Sequence, residues 1–293
     1  MRGADGALER VLRPTAAAPE PREGAPTVNI VVGGAAGRMG SRIVALHGEA
    51  PGLRVAAALE APGHRAVGRD AGETAGVGKL GVPITADAGV ALTRDRVLVE
   101  FSVPEASLEH ARLVARAGGR AVIGTTGFSG AQREEMAALA RQAAILVAPS
   151  MSVAVTLAFS LLATMAKVLG DDYDVEITET HHRYKKDAPS GTALHMAEIV
   201  ARALGRDLKQ VGVYGRQGVP GERPGKEIGV MSLRSGDVVG EHTVSFGTLG
   251  ERLELTHKAH SRDMFARGAL RAVRWVAGRG PGLYSMHDVL GIA

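Results

Sequence analysis

Cysteine is absent from this chain of 293 residues, and aromatic residues make up only 3% of it. Without cysteine, the chain can form no disulfide, use no thiolate nucleophile and bind no zinc through sulfur. The scarcity of aromatic rings argues against the folds that bind nucleic acids by stacking bases on exposed side chains. Together with abundant Ala, Val and Gly, it favours an α/β interior of small side chains.

Charge and hydropathy exclude two further classes of partner. The net charge is only +4, and the 35 basic and 31 acidic residues are spread along the chain, which argues against a DNA-binding face. No apolar run is expected to reach the roughly 20 residues that cross a membrane, and the N-terminus lacks a hydrophobic signal core. We therefore expect a cytoplasmic protein that binds neither nucleic acid nor membranes.

Residues 1–27 combine Pro, Ala, Gly and both charges without periodicity, which predicts a disordered N-terminal extension. A transit peptide is the weaker interpretation, because Asp5, Glu9, Glu20 and Glu23 are acidic residues that such peptides avoid.

From Val28 onwards, strand-like and helix-like segments alternate, which is typical of a parallel sheet with crossover helices. The pattern predicts a Rossmann-type, doubly wound dinucleotide-binding domain over residues 28–150. Its predicted strands are 28–32, 53–60, 97–102, 121–125 and 145–148, with helices at 38–47, 104–117 and 130–142.

After Ser150 the alternation gives way to an α+β pattern, which predicts a second domain over residues 151–261. Three strands without intervening helices indicate a mostly antiparallel or mixed sheet. We expect the C-terminal segment, about 262–293, to pack back on the first domain. The predicted elements are helices 152–169, 192–204 and 262–277, a strand around 175–179, and strands 228–234, 238–246 and 252–258.

A glycine-rich stretch, GGAAGRMG at 33–40, follows the first strand and opens the first helix. Such a turn lets a pyrophosphate approach the backbone N–H groups at the positive end of a helix. A tight turn without a ligand is the alternative, since such turns use glycine in any case. Glu60 ends the second strand, where an acidic residue can bind the adenosine ribose, although the spacing is long and a plain strand end is equally consistent.

Two loops follow later strands, at the sheet edge where open α/β sheets bind ligands. They are Gly124–Gly127 and Ala148–Met151. Taken singly, each such stretch is more often an ordinary connection than a ligand-binding loop.

The segment HHRYKKDAPSGT, His181–Thr192, concentrates the chemistry of the second half. Lys185 offers charge, and a Ser-Gly-Thr turn at a predicted helix start offers hydroxyl and N–H donors to a small dianion. His181 or His182 could deliver a proton near neutral pH. A metal site lacks a third ligand at a motif spacing, whereas a solvated basic loop with Ser190 as an ordinary N-cap stays open.

Five motifs in this order resemble the 4-hydroxy-tetrahydrodipicolinate reductases, also called dihydrodipicolinate reductases. The resemblance covers nearly everything from residue 28 to the end. The motifs are GxxGRMG at 34–40, VIGTTGF at 122–128, ExHHxxKxDAPSGTA at 179–193, GDVVGEHTVSF at 236–246 and GERLELTHKAHSR at 250–262.

The resemblance implies that a reduced nicotinamide, NADH or NADPH, delivers hydride to a cyclic imine bearing two carboxylates. It implies that His181 is the proton donor, that Lys185 is the catalytic lysine, and that the second domain binds substrate and forms a homotetramer through its sheet. Substrate-contacting positions are His182, Ser190, Gly191 and Thr192, and cofactor-contacting positions are Gly34, Ala35, Ala36, Gly37, Arg38, Met39, Glu60, Gly124, Thr125, Thr126, Ala148, Pro149, Ser150 and Met151.

Two departures from the family pattern concern the cofactor. Many relatives read Ala-Asn-Phe-Ser where this chain has Pro-Ser-Met-Ser at 149–152, so a hydroxyl replaces an amide near the nicotinamide. Some members carry an arginine after the ribose-binding acid, where this chain has Ala61, which predicts a preference for NADH unless His64 or Arg65 supplies the cation.

Two other functions remain open at this point. One is a two-domain Rossmann reductase of an amino-acid semialdehyde, which would not explain the His181–Thr192 cluster. The other is a nicotinamide-binding regulator without turnover.

Overall fold

A computed structural model of the chain describes residues 26–292, which divide into two compact units. Of these residues, the first unit takes 26–153 and 263–292, and the second unit is Ala154–Arg262. The extension predicted at residues 1–27 lies outside the described residues, apart from Pro26 and Thr27, which are exposed and precede the first strand.

Short apolar strands alternate with helices along the first part of the chain. The first strand has four buried residues in succession, as expected for a parallel strand covered on both faces. The elements are β1 (Val28–Gly33), α1 (Arg38–Leu46), β2 (Leu53–Leu59), α2 (Ala71–Ala75), β3 (Ile84–Thr85), α3 (Ala88–Ala91), β4 (Arg96–Glu100), α4 (Pro104–Arg116), β5 (Arg120–Ile123), α5 (Gly130–Leu139) and β6 (Ala144–Val147).

The remaining elements begin with a long apolar helix and end with the C-terminal segment. Short 3-10 turns follow α1 at His47–Glu49 and the long helix at Gly170–Asp172. The elements are α6 (Val153–Leu169), β7 (Asp174–His181), α7 (Gly191–Ala203), α8 (Leu208–Val211), β8 (Gly212–Val213), β9 (Ile228–Arg234), β10 (Gly240–Thr248), β11 (Glu251–Ala259), α9 (Asp263–Ala277), β12 (Gly282–Tyr284) and α10 (Met286–Leu290).

The sheet of the first unit has seven strands in the order β12-β6-β5-β4-β1-β2-β3. All of its strand pairs are parallel, which confirms the predicted doubly wound fold. The strand order reverses at β1, which lies between β4 and β2, and such a switch point is where open α/β sheets bind ligands. The C-terminal segment completes this unit, because α9 buries Ala266, Ala269 and Val273 in the same core as Ile30 of β1.

The sheet of the second unit has five strands in the order β11-β10-β7-β9-β8. It is mixed, as predicted, since β7 is antiparallel to β10 and parallel to β9. Alternate residues of β7 are buried, namely Val175, Ile177, Glu179 and His181. Because alternate side chains of a strand share one face, a carboxylate and an imidazole lie on the same face as the two apolar side chains, which pack in a core with residues of α6 and α7.

One expectation about hydropathy was wrong. The segment Val153–Asp172 is a 20-residue helical stretch whose most apolar 18 residues have a mean hydropathy of 1.8, which is long and apolar enough to cross a membrane. The core helix of a soluble protein also passes this test, and one face of α6 does pack in the core of the second unit, through Val155, Phe159 and Leu162.

Candidate active site

The glycine-rich turn between β1 and α1 has the geometry of an anion site. Gly34 has a positive φ of 64°, and its carbonyl accepts the N–H of Gly37 at 2.9 Å. A Cβ on Gly40 would lie 2.1 Å from the same carbonyl, so only glycine fits there. Gly37 is the N-cap of α1 and supplies no side-chain cap, which leaves the first-turn N–H groups free of a capping side chain and suited to a phosphate.

Glu60 lies directly beside this turn. Its carboxylate accepts the N–H of Ala36 at 2.8 Å and the N–H of Ala61 at 3.2 Å. A carboxylate has about four acceptor positions, so two backbone bonds leave capacity for the hydroxyls of a ribose. The long spacing in sequence therefore does not separate the acid from the turn.

The two later loops follow β5 and β6 at the carboxyl edge of the same sheet, but only part of each is accessible. The Thr125 hydroxyl is buried and bonds to the hydroxyl of Ser107 at 2.6 Å. Ala148 and Met151 are also buried, whereas Thr126 and Pro149 are exposed. The backbone and the exposed residues, together with partly exposed Gly124 and Ser150, are what these loops can offer a cofactor.

The sequence interpretation missed a buried acid behind the glycine turn. Glu100 is fully buried, accepts the N–H of Ser102 at 2.9 Å and pairs with His110 at 2.5 Å. A Cβ on Gly33 would lie 2.2 Å from its carboxylate, so glycine at position 33 makes room for this acid. An acidic residue at the end of an apolar strand was the available signal.

In the second unit, His181 ends β7 with its ring held on three sides. Its Nδ1 lies 2.6 Å from a carboxylate oxygen of fully buried Glu179. The His242 ring packs edge-on against it, with centroids 5.2 Å apart. On the Nε2 side lies Gly240, where a Cβ would come within 3.0 Å of Nε2. The strand geometry thus fixes the plane of the imidazole.

Several charges act on His181. Burial lowers the pKa of His181, the hydrogen bond and charge of Glu179 raise it, and the charges of Lys185 and Arg234 lower it further, so that it lies below 6.5. The free protein therefore holds this histidine mostly neutral at pH 7.

Lys185 and His182 lie on the loop after β7. The Lys185 ammonium donates to both carboxylate oxygens of Asp187, at 2.9 and 2.8 Å. His182 contributes its carbonyl to the turn by accepting the N–H of Lys185. Its buried Nδ1 has no partner among the described residues, so His182 stays outside the hydrogen-bond network around His181.

Ser190 caps helix α7 and links it to that network. Its hydroxyl accepts the N–H of Ala193 at 3.1 Å and is hydrogen-bonded to Nε2 of His242 at 2.9 Å. Its backbone N–H donates to Glu179 at 3.1 Å. Gly191 and Thr192 occupy the first helical positions, whose N–H groups have no intrahelical acceptor. Ser190 is therefore an N-cap, and its neighbours Gly191 and Thr192 still present free N–H donors. The interpretation of Ser190 as an ordinary N-cap is thus compatible with the interpretation of this turn as an anion site.

Arg234 and His242 also belong to this network and were missed by sequence reasoning. Arg234 donates to both oxygens of Glu179, at 3.1 and 2.9 Å, and to the carbonyl of Asp187 at 2.6 Å. Both residues lie on strands far along the chain, and only the pairing of β9 and β10 with β7 brings them to His181.

Buried His242 predicts a pH dependence of stability. Burial, with the nearby charge of His181, lowers the pKa of His242 to about 4. In the unfolded chain the His242 imidazole is protonated below about pH 6.5, whereas in the folded protein it stays neutral until about pH 4. The free energy of unfolding should therefore fall, by up to about 3 kcal/mol from this residue, as the pH drops through that window.

Urea unfolding at pH 7 and at pH 5, with the His242→Gln variant as reference, measures this contribution. The variant keeps an N–H donor near Ser190 but cannot titrate, so its loss of stability on acidification should be smaller. Equal losses in both proteins would contradict the prediction.

Two family models of known proteins match this chain, one after the other along the sequence. The family model described as dihydrodipicolinate reductase, N-terminus, matches residues 28–151, and the model described as dihydrodipicolinate reductase, C-terminus, matches residues 154–290. A 4-hydroxy-tetrahydrodipicolinate reductase of Citrifermentans bemidjiense is 52% identical over 265 residues, which cover 90% of this chain and 99% of the relative. That of Syntrophus aciditrophicus is 52% identical over 261 residues, covering 89% and 97%.

Among solved structures, the dipicolinate-bound dihydrodipicolinate reductase from Paenisporosarcina sp. TG-14 superposes with a TM-score of 0.71. It is 24% identical, and the match covers 90% of this chain and 100% of that one. This likeness shows a shared fold.

Proposed function

The chain belongs to the dihydrodipicolinate reductase family, and on that basis we propose that it reduces 4-hydroxy-tetrahydrodipicolinate to tetrahydrodipicolinate with a reduced nicotinamide cofactor. This places it in lysine and diaminopimelate biosynthesis. The observation that carries the proposal is the single hydrogen-bond network joining His181, Glu179 and the start of α7, with Lys185 beside it.

The first unit fits a dinucleotide. The uncapped start of α1, the close-packed glycine turn and the carboxylate of Glu60 would hold the pyrophosphate and the adenosine ribose. When bound, the reduced nicotinamide supplies the hydride. We assign cofactor contacts to Gly34, Ala35, Ala36, Gly37, Arg38, Met39, Glu60, Gly124, Thr125, Thr126, Ala148, Pro149, Ser150 and Met151, with Thr125, Ala148 and Met151 contributing backbone groups.

The second unit supplies a carboxylate site and an acid. The N–H groups of Gly191 and Thr192 donate to one substrate carboxylate, and Lys185 binds the dianion by its charge. His182, on the same loop, is a further substrate contact. Ser190 caps the start of α7 and holds it in place. The charge of the bound dicarboxylate favours the imidazolium form of His181, which then donates its proton from Nε2.

A coupled assay tests the function. The substrate is generated in situ from pyruvate and aspartate semialdehyde with the preceding synthase, and the loss of NADH or NADPH absorbance is followed. We expect steady oxidation that requires the synthase. Oxidation with aspartate semialdehyde alone would instead indicate a semialdehyde reductase, and no oxidation under either condition would refute the proposed activity.

We predict a lower KM for NADH than for NADPH. Ala61 offers no cation after Glu60, and the Glu60 carboxylate beside it repels a 2'-phosphate. An Ala61→Arg variant should lower the KM for NADPH by about tenfold, which corresponds to about 1.4 kcal/mol from one arginine–phosphate contact. Initial rates at varied cofactor concentration measure both values, and a wild-type preference for NADPH would contradict the prediction.

We also propose a cytoplasmic homotetramer. The face of the second sheet opposite to the core carries a mixed set of half-buried side chains, among them Thr243, Ser245 and Met231, with Leu233 exposed. The described contacts of Thr243 and Ser245 run to β11 of the same sheet. A second sheet of the same kind could cover this face.

A further inference from the structure

Glu179 is a buried carboxylate of the network that carries the proposed function, but the proposed reaction gives it no role of its own. It is fully buried on β7 and accepts hydrogen bonds from His181 Nδ1, Ser190 N and Arg234 Nη1. Burial alone would raise the pKa of Glu179, but the bonds from His181, Ser232 and Arg234 outweigh it and keep the pKa below 4.5. Glu179 is therefore ionised and can only accept hydrogen bonds.

The ionised carboxylate of Glu179 determines which ring nitrogen of His181 carries the proton. Because an ionised carboxylate 2.6 Å away accepts a hydrogen bond, Nδ1 of His181 must carry hydrogen. In the neutral ring the free lone pair is then on Nε2. This atom lies next to Gly240, which has no side chain. Nε2 is the ring atom that gains and gives the exchangeable proton.

Building on the proposed function, in which His181 is the acid, we infer that Glu179 is its positioning residue. Glu179 fixes the Nδ1–H tautomer, so that Nε2 is the donating atom, and its negative charge stabilises the imidazolium that forms when the substrate binds. The same carboxylate holds Ser190, which ties the orientation of the acid to the start of α7.

The groups around the ring explain why a fixed carboxylate is needed. Lys185 from the loop, Arg234 from β9 and His242 from β10 all face His181, and the first two oppose its protonation by their charge. Glu179 is the one acid in hydrogen-bond contact with His181 among the described residues. Arg234 in turn bonds to both oxygens of Glu179 and keeps it from taking the proton itself.

The Glu179→Gln variant tests this role. Both carboxylate oxygens face donors, so whichever way the amide turns, its NH₂ group faces either His181 Nδ1 or Ser190 N. We expect kcat to fall by about 10- to 100-fold with a much smaller change in substrate KM. Because the imidazolium loses its counter-charge, the pH above which kcat/KM declines should move lower. Glu179→Asp, which keeps the charge, should recover part of kcat.

Glu198→Gln is the matched control, since Glu198 also pairs with a histidine, His195, at 3.3 Å, but on an exposed face of α7. It should leave kcat and the pH profile unchanged. A Glu179→Gln enzyme with the kcat and pH profile of the wild type would overturn the inference, provided that the wild type turns over. Absent turnover by the wild type would refute the proposed function instead.

Nitrogen NMR of histidine-labelled wild-type protein tests the tautomer without turnover or a variant. At about pH 8, above the ordinary histidine pKa, His181 should show a protonated Nδ1 and an unprotonated Nε2. A predominantly Nε2–H tautomer would overturn the inference even if the enzyme is active.

Discussion

His181→Ala is expected to lower kcat by about 10² to 10⁴, because a positioned general acid contributes a factor of that size. The structure supports this expectation through the preorganised ring: its Nδ1 is bound to Glu179, its ring is packed by His242, and its Nε2 lies beside Gly240, which has no side chain. Alanine removes the proposed proton donor but leaves Lys185 and the start of α7 in place. Substrate affinity should therefore change much less than kcat.

Steady-state kinetics in the coupled assay measures this effect. His195→Ala is the matched control, because His195 is a half-exposed histidine of the same unit that contacts Phe159 and Glu198, away from this network. The substrate KM in the same assay should be nearly unchanged in His181→Ala. A kcat within a few-fold of the wild type would remove His181 from the mechanism.

The pH dependence gives an independent check on the same residue. Only the protonated ring can donate, so kcat/KM should decline as the pH rises above the pKa of His181 in the free protein. Burial sets that pKa below 6.5. The two substrate carboxylates favour the imidazolium, so the decline of kcat, which reports the complex, should occur at higher pH than the decline of kcat/KM.

Local patterns in the sequence predicted most of the fold. Each strand of the first unit that is covered on both faces is a short apolar run, and these runs were found to within two residues at either end, as in Val28–Gly33 and Arg96–Glu100. The missed strands are short: β3 and β8 have two residues each and β12 has three. Such strands form because a neighbouring strand offers backbone partners, and their own sequences carry no periodicity to detect.

The candidate site was predictable only where its residues adjoin in sequence. His181, Lys185 and Ser190–Thr192 lie in one segment, so their types alone suggested an acid beside a carboxylate site. Arg234 and His242 reach His181 through strand pairing. Glu179 stood in the motif, but its role follows from a 2.6 Å contact that depends on both side chains sharing one face of β7.

Lys185→Ala is expected to raise the substrate KM by about 10- to 100-fold and also to lower kcat. A hydrogen bond to a charged group contributes about 1.5 to 3 kcal/mol, and the loss of that contact weakens binding of the dianion. In the proposed reaction the ammonium also stabilises the negative charge that develops on the substrate during hydride transfer, so kcat should fall as well. In the free protein this ammonium donates hydrogen bonds to both carboxylate oxygens of Asp187, which fix its position. A substrate carboxylate therefore competes with Asp187 for the ammonium.

Lys186→Ala is the control for Lys185→Ala, because Lys186 is the adjacent, exposed lysine with no described partner. It should leave KM and kcat near the wild-type values, which separates a specific contact from the general positive charge of the loop. The pH profile distinguishes the two variants further. Since the charge of Lys185 lowers the pKa of His181, its removal should shift the decline of kcat/KM to higher pH, opposite to the shift expected for Glu179→Gln. Equal effects of the two lysine substitutions would show that the loop attracts the dianion only by its net charge.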